Sequence, residues 1–270
     1  MKNYYHLMSS LPELSFKSEA QKNADVLQIR DAILGEITRG DAVYVRETLS
    51  SIDNYNLLTL LYNKKRTIKR GGMFEFDSTS KLEETALSRY MRQFLGYFEE
   101  YEQEHGQKPD PFAAEQRLNE LCYAEMESSK NRFVSKWHKI EREIKNIQAA
   151  YLSRKANVSA EKHLIADEEL RDSLLRSQAQ DFGLSKERDY VSELLRIFEL
   201  GDLLERERKL DLFRWNIIDE INTFEYFTVN AVLGVLQKAC ILDRWLSLDR
   251  DKGEQRFKEM VRGLKTVVIQ

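Results

Sequence analysis

Residues 112–155 read FAAEQRLNELCYAEMESSKNRFVSKWHKIEREIKNIQAAYLSRK, and no proline or glycine interrupts them. Those two residues are the chief breakers of helices: proline lacks the amide, and glycine has the most backbone freedom to lose. As one straight helix the stretch would run about 66 Å. From Phe133 the large apolar residues fall at Trp137, Ile140, Ile144, Ile147 and Tyr151. The alternating steps of four and three residues are those of a heptad seam. Lys130 occupies the one seam position where an apolar side chain is wanted. Asp110–Pro111 in front supply an N-cap and a first-turn proline.

Upstream, residues 81–104 carry Leu87, Met91, Phe94, Leu95 and Phe98 behind a capping box formed by Ser80 and Glu83. The connection at 105–111 is short, and short connections join antiparallel neighbours. The two stretches predict a helical hairpin whose second arm projects past the first. Two other arrangements of 112–155 stay open: a long helix wrapped into a compact core, and a helix broken near Ser128–Ser129.

Outward from the hairpin the pattern stays helical. Val26, Ile29, Ile33 and Ile37 predict a helix over 24–38, ended by Gly40. Asp41 then caps a helix running to about Lys65 through Val45, Leu49, Ile52, Leu57, Leu60 and Leu61. Before these, Tyr4, Tyr5, Leu7, Met8 and Leu11 form an apolar cluster ended by Pro12, read as a short packed segment. Residues 156–186 are polar with short helices at most. Helices are expected over 187–199, 202–224, 226–248 and 252–264, with Leu210, Phe213, Ile217, Ile221 and Phe224 on one buried face. The fold class is all-α, in three parts at 1–80, 81–155 and 156–270 that can equally form one continuous domain.

The chain has 270 residues, enough to bury a core without disulfides or metals. A net charge of −3 leaves no basic footprint, which argues against nucleic acid as a partner. Cys122 and Cys240 read as reduced thiols of a cytoplasmic protein. The first residues carry no long apolar run, so no signal peptide is expected. The most apolar window, Phe227–Leu242, is interrupted by Asn230, Gln237 and Lys238. It is also shorter than the roughly 20 residues of a membrane span, so it reads as a buried helix.

No motif gathers reactive groups. A phosphate loop of the form G-x-x-x-x-G-K is missing, as is the G-x-S-x-G elbow of a serine nucleophile. His6, His105, His138 and His163 are scattered. Glu102 and His105 make a single Glu-x-x-His pair, where a di-iron bundle needs two such pairs and two further carboxylates. No catalytic residue, metal or cofactor is expected.

Several stretches resemble a known family. Asn3-Tyr4-Tyr5-His6-Leu7-Met8-Ser9-Ser10-Leu11-Pro12-Glu13-Leu14, Arg214-Trp215-Asn216-Ile217-Ile218-Asp219-Glu220 and Asp243-Arg244-Trp245 look like a bacterial family of uncharacterised proteins found beside the subunits of V/A-type ATPases. Asn56-Leu57-Leu58-Thr59-Leu60-Leu61-Tyr62-Asn63-Lys64 is similar to the asparagine-leucine helix of the C-type subunit of those ATPases, whose eukaryotic counterpart is the d-type subunit. Where the C-type subunit has a lysine-glutamate pair in a later helix, this chain has Lys238–Ala239. The resemblance implies a helical, funnel-like, non-catalytic component of an ion-transporting ATPase. It would couple the central stalk to the membrane rotor ring and be peripheral to the membrane through those partners. On that reading Asn56 bonds across a helix pair, and Lys64, Lys65, Arg66 and Arg70 form a partner-facing basic patch. Arg214, Trp215 and Asp219 form a buried anchor. The alternative is a general cytoplasmic adaptor that binds through its coiled-coil-like hairpin.

Overall fold

The computed structural model describes residues 3–16, 25–62, 68–74 and 87–246. Among them there are eleven α-helices and no strand. In chain order they are α1 (Tyr5–Ser10), α2 (Val26–Glu36), α3 (Ala42–Thr48), α4 (Ser50–Leu61), α5 (Arg89–His105) and α6 (Pro111–Glu127). There follow α7 (Arg132–Lys155), α8 (Glu168–Arg176), α9 (Val191–Glu199), α10 (Leu203–Ile221) and α11 (Val229–Leu246). The expected helix at 252–264 and the Ser80/Glu83 box lie outside the described residues.

The single 112–155 helix gives way to one of the arrangements left open, the break near Ser128–Ser129: the chain leaves the helix at 128–131. Polar side chains, not glycine or proline, make the break. Ser128 donates its hydroxyl back to the Glu125 carbonyl at 2.8 Å, taking a helix-end acceptor. Ser129 reaches across to Glu47 at 2.6 Å. Asn131 then starts a new helix, its Oδ1 accepting from the Val134 amide at 3.0 Å while its Nδ2 donates to Asn230 at 2.9 Å.

After the break α7 folds back along α6. Glu127 pairs with Arg142, and Lys145 lies over the Tyr123 ring, so later residues of α7 meet earlier ones of α6. Among the described residues no arm projects. α7 is packed by α3, α6, α8, α9, α10 and α11. Its seam residues Phe133, Trp137, Ile144 and Ile147 are buried in the cluster that runs from Tyr4 to Leu242. All three sequence parts contribute to that cluster, so neither expected boundary separates two cores.

Other ends follow local chemistry. Asp110 caps α6 through the Phe112 and Ala113 amides with Pro111 in the first turn, as its sequence predicts. Gly106 closes α5 in the left-handed region at φ 66°. The helix expected from Asp41 to Lys65 is two helices, bent at Leu49. There Thr48 bonds back to the Tyr44 carbonyl at 2.8 Å, a contact that bends helices. No helix of the described residues is long and apolar enough to cross a membrane.

Candidate functional site

Most polar groups of the interior are committed to holding helices together. Asn56, expected to bond across a helix pair, instead clamps a loop onto α4. Its Nδ2 donates to the Lys69 carbonyl at 3.0 Å and its Oδ1 accepts from the Lys69 amide at 2.8 Å. One turn earlier Asp53 Oδ1 accepts from the Met73 and Phe74 amides at 2.9 and 3.2 Å. Gly72 passes so close that an added Cβ would lie 2.3 Å from that oxygen, so only glycine fits. Asp53 Oδ2 and Arg46 Nε are buried without a hydrogen-bond partner. Burial pushes the Asp53 carboxyl up to about 7, against the pull of two loop amides and the Arg46 and Arg30 guanidinia. Of the expected basic patch, Arg70 is exposed with its nearest acid, Asp25, 3.8 Å away. Lys64, Lys65 and Arg66 lie outside the described residues.

The expected anchor is partly rearranged. Arg214 forms a fork with Glu141, Nε to Oε2 at 2.9 Å and Nη2 to Oε1 at 3.0 Å, and its Nη1 reaches Asp211 at 3.1 Å. Asp211 also accepts from Trp245 Nε1 at 2.8 Å. Burial alone would raise the Glu141 carboxyl, but the Arg214 charge outweighs it and holds the group below its ordinary range. Trp215 is buried beside Phe16, with ring centroids 5.7 Å apart. Asp219 does not join them. Its side chain is 61% exposed and pairs with Lys238, because it lies on the outer face of α10.

A constellation missed in the sequence is Ser50, Cys122 and His138. His138 Nδ1 meets the Val134 carbonyl at 2.9 Å, and a carbonyl can only accept, so this nitrogen carries the proton. Nε2 therefore accepts from Ser50 Oγ at 3.2 Å, the pairing of a nucleophile with its base. The residues are 88 positions apart, so spacing held no signal. The pair is sealed in the core, and burial pushes His138 down to about 4. A carbonyl stands where a catalytic triad has its carboxylate. The arrangement ties α4, α6 and α7 together and presents no hydroxyl to solvent. An open pocket of about 230 Å³ beside α6 is lined by Glu127, Arg142 and Arg171, whose guanidinium groups are already bound to neighbouring carboxylates and carbonyls.

The surface shows a different specialisation. The α10–α11 turn exposes Phe224 at 82%, Tyr226 at 68% and Phe227 at 39%, and Tyr5 of α1 stands beside them at 57%. The Tyr5 and Phe227 rings lie 4.5 Å apart, and the Tyr4 amide donates to the Phe227 carbonyl at 2.7 Å. The sequence period puts Phe224 on a buried face; α10 ends at Ile221, so helical periodicity stops before it. Its φ of 70° is in the left-handed region, a costly setting for a bulky residue. Glu225, within the aromatic run, is turned inward. Its carboxylate accepts from Thr228 and from Arg132, and its side chain is only 16% exposed. The Thr228 hydrogen bond, with help from Arg132, holds this carboxyl below its ordinary range. The turn thus presents rings and hides its charge, against the usual order of a surface loop.

Phe224→Gly relieves the left-handed backbone. Folding stability is expected to stay level or rise by up to about 1 kcal/mol, measured by urea denaturation. A loss of more than about 1 kcal/mol would mean that the ring supports the fold.

A family model described as "Protein of unknown function (DUF2764)" matches residues 1–268. No curated protein and no solved structure matches the chain.

Proposed function

We propose that this chain, which belongs to the DUF2764 family of proteins of unknown function, acts by attachment rather than by chemistry, as a non-catalytic component of a V/A-type ATPase. The observation that carries the attachment reading is the aromatic tip formed by Phe224, Tyr226, Phe227 and Tyr5. Aromatic side chains are the large contributors at docking surfaces, and here the backbone is strained to display one. Ser50 and His138, which have the geometry for a reaction, are walled off from any substrate.

The choice of partners rests on the resemblance of residues 3–14, 56–64, 214–220 and 243–245 to the ATPase-associated family and to the C-type subunit. Its partners are the central stalk and the membrane rotor ring, and its place is the cytoplasmic side, peripheral through those partners. A mechanical coupler needs stiffness. Buried cross-helix ties such as Arg214–Glu141 and Asn131–Asn230 supply it here. An adaptor acting through a free coiled-coil arm is not favoured, because the α7 seam is already covered by its neighbours.

The test is affinity purification of the tagged full chain from detergent extracts of its native host, followed by mass spectrometry. Rotary ATPase subunits are expected among the specifically recovered proteins. Their consistent absence would end the ATPase part of the proposal.

A further inference from the structure

We propose that the segment 68–74 is a proton-operated latch: it sits on α4 while the Asp53 carboxyl beneath its backbone holds a proton, and it opens, ahead of the helices, when that proton leaves to solvent. The proposal does not depend on any partner named above.

The segment gives backbone rather than side chains to the interior. Ile68, Lys69 and Arg70 are exposed and Met73 and Phe74 half-buried; Gly71 and Gly72 are its buried residues. It is therefore attached largely by polar contacts. Asn56 holds both backbone groups of Lys69, Arg30 holds the Gly72 carbonyl, and Asp53 Oδ1 holds the Met73 and Phe74 amides. Segments with few buried side chains open locally, at less cost than the core. Of these three gripping side chains, Asp53 is the one that can change its charge near neutrality.

The cover over the carboxyl is the segment itself. Asp53 is 0% exposed, and a Cβ at Gly72 would lie 2.3 Å from its Oδ1. Lifting the segment lets water reach the group. While the segment is down, Asp53 Oδ2 is buried without a hydrogen-bond partner, so an ionised carboxylate leaves one oxygen unsolvated. The charged and titratable groups that face it are Arg46 of α3, Arg30 of α2 and Tyr90 of α5. Among the described residues none of the three bonds to Asp53. Arg46 lies over the Phe74 ring, Arg30 reaches Gly72 and Asp31, and Tyr90 donates to Asn54 at 2.7 Å. Burial outweighs the two guanidinium charges and pushes the covered carboxyl up to about 7. Uncovered in water, an aspartate titrates at about 3.9. Between these values closing the segment takes up one proton from solvent, so the closed form weakens as pH rises.

The experiment is amide hydrogen exchange of the purified full chain from pH 5 to pH 8, each rate referred to that of an unstructured amide at the same pH. Protection of the Met73 and Phe74 amides is expected to fall about tenfold from pH 5 to pH 6, then less steeply, and to level off above about pH 7. It should stay below the protection of the buried Ile144 and Ile147 in α7, which marks the opening as local. Asp53→Asn keeps an oxygen for both amides and should hold the segment with no such fall. In Gly72→Ala the added carbon meets Asp53 Oδ1, so both amides should lose protection already at pH 5 while α7 keeps its own. The proposal is overturned if protection of the two wild-type amides is independent of pH, or if the fall persists in Asp53→Asn. Exchange of these amides only together with those of α7 overturns it too.

Discussion

Arg214→Ala is expected to cost about 3–5 kcal/mol of folding stability, the range found when one member of a buried ion pair is removed. The guanidinium occupies both oxygens of Glu141 and one oxygen of Asp211, in a setting where its own side chain is nearly out of water. Without it, two carboxylates from α7 and α10 face each other with their charge unbalanced, although Arg244 still reaches Asp211 at 3.1 Å. The pH dependence separates this cause from lost packing. In the wild type Glu141 has a depressed folded pKa, so its contribution is present above the ordinary carboxylate range and is lost as pH falls through the folded value. In the variant Glu141 keeps the Lys145 charge nearby but loses its guanidinium partner, so burial counts for more, its carboxyl rises, and the deficit should narrow as pH falls. Arg214→Met combined with Glu141→Gln should recover most of the loss, since the buried charge has gone as well. Urea denaturation at several pH values reads all of this. A deficit independent of pH, with no recovery in the double variant, would assign the effect to cavity formation.

Asp53→Asn is expected to act in the opposite direction above neutrality. The Asp53 carboxyl is pushed up to about 7 by burial, against about 3.9 in an unfolded chain. The folded protein therefore holds a proton that the unfolded chain has released. The group's favourable contribution is full below about pH 4 and is lost as pH rises through about 7, an interval worth on the order of 4 kcal/mol. Asparagine keeps an oxygen for the Met73 and Phe74 amides and carries no charge to bury. The variant should therefore be more stable than wild type by about 1–3 kcal/mol at pH 8, with the difference shrinking towards pH 5. A variant that is less stable at pH 8 would show that the carboxylate charge is needed beside Arg46 and Arg30. Either result bears on the loop from Ile68 to Phe74, which Asn56 and Asp53 hold to α4.

The all-α class is legible in the sequence because apolar spacing and the scarcity of breakers act through local backbone physics. A helix start is legible for the same reason at Asp110–Pro111. The break at 128–131 is harder to read. Ser128 and Asn131 act through the nearby Glu125 carbonyl and Val134 amide, but Ser129 and the Asn131 side-chain amide find their partners in Glu47 and Asn230, distant in sequence. The heptad seam is real in spacing, but it faces neighbours of the same chain. Periodicity identifies a buried face without saying what buries it.

The candidate site is less legible still. Phe224 continues the period of Ile217 and Ile221, so the pattern places it inside. Only the end of α10 and a positive φ turn it outward. The inward turn of Glu225 depends on Arg132, from another helix. Asn56 and Arg214 each bond to a distant segment, and their partners, Lys69 and Glu141, belong to tertiary structure. Asp219 is misplaced by the sequence because a short motif cannot say which side of α10 each side chain takes.

The most direct measurement is reconstitution. Purified full chain is mixed with the purified central stalk and rotor ring of the host's V/A-type ATPase, and the mixture is resolved by size-exclusion chromatography with mass determination. A stable complex containing the chain in fixed stoichiometry is expected, unchanged by Ser50→Ala. Separate elution of the chain from both partners, at concentrations where the stalk and ring themselves associate, would contradict it.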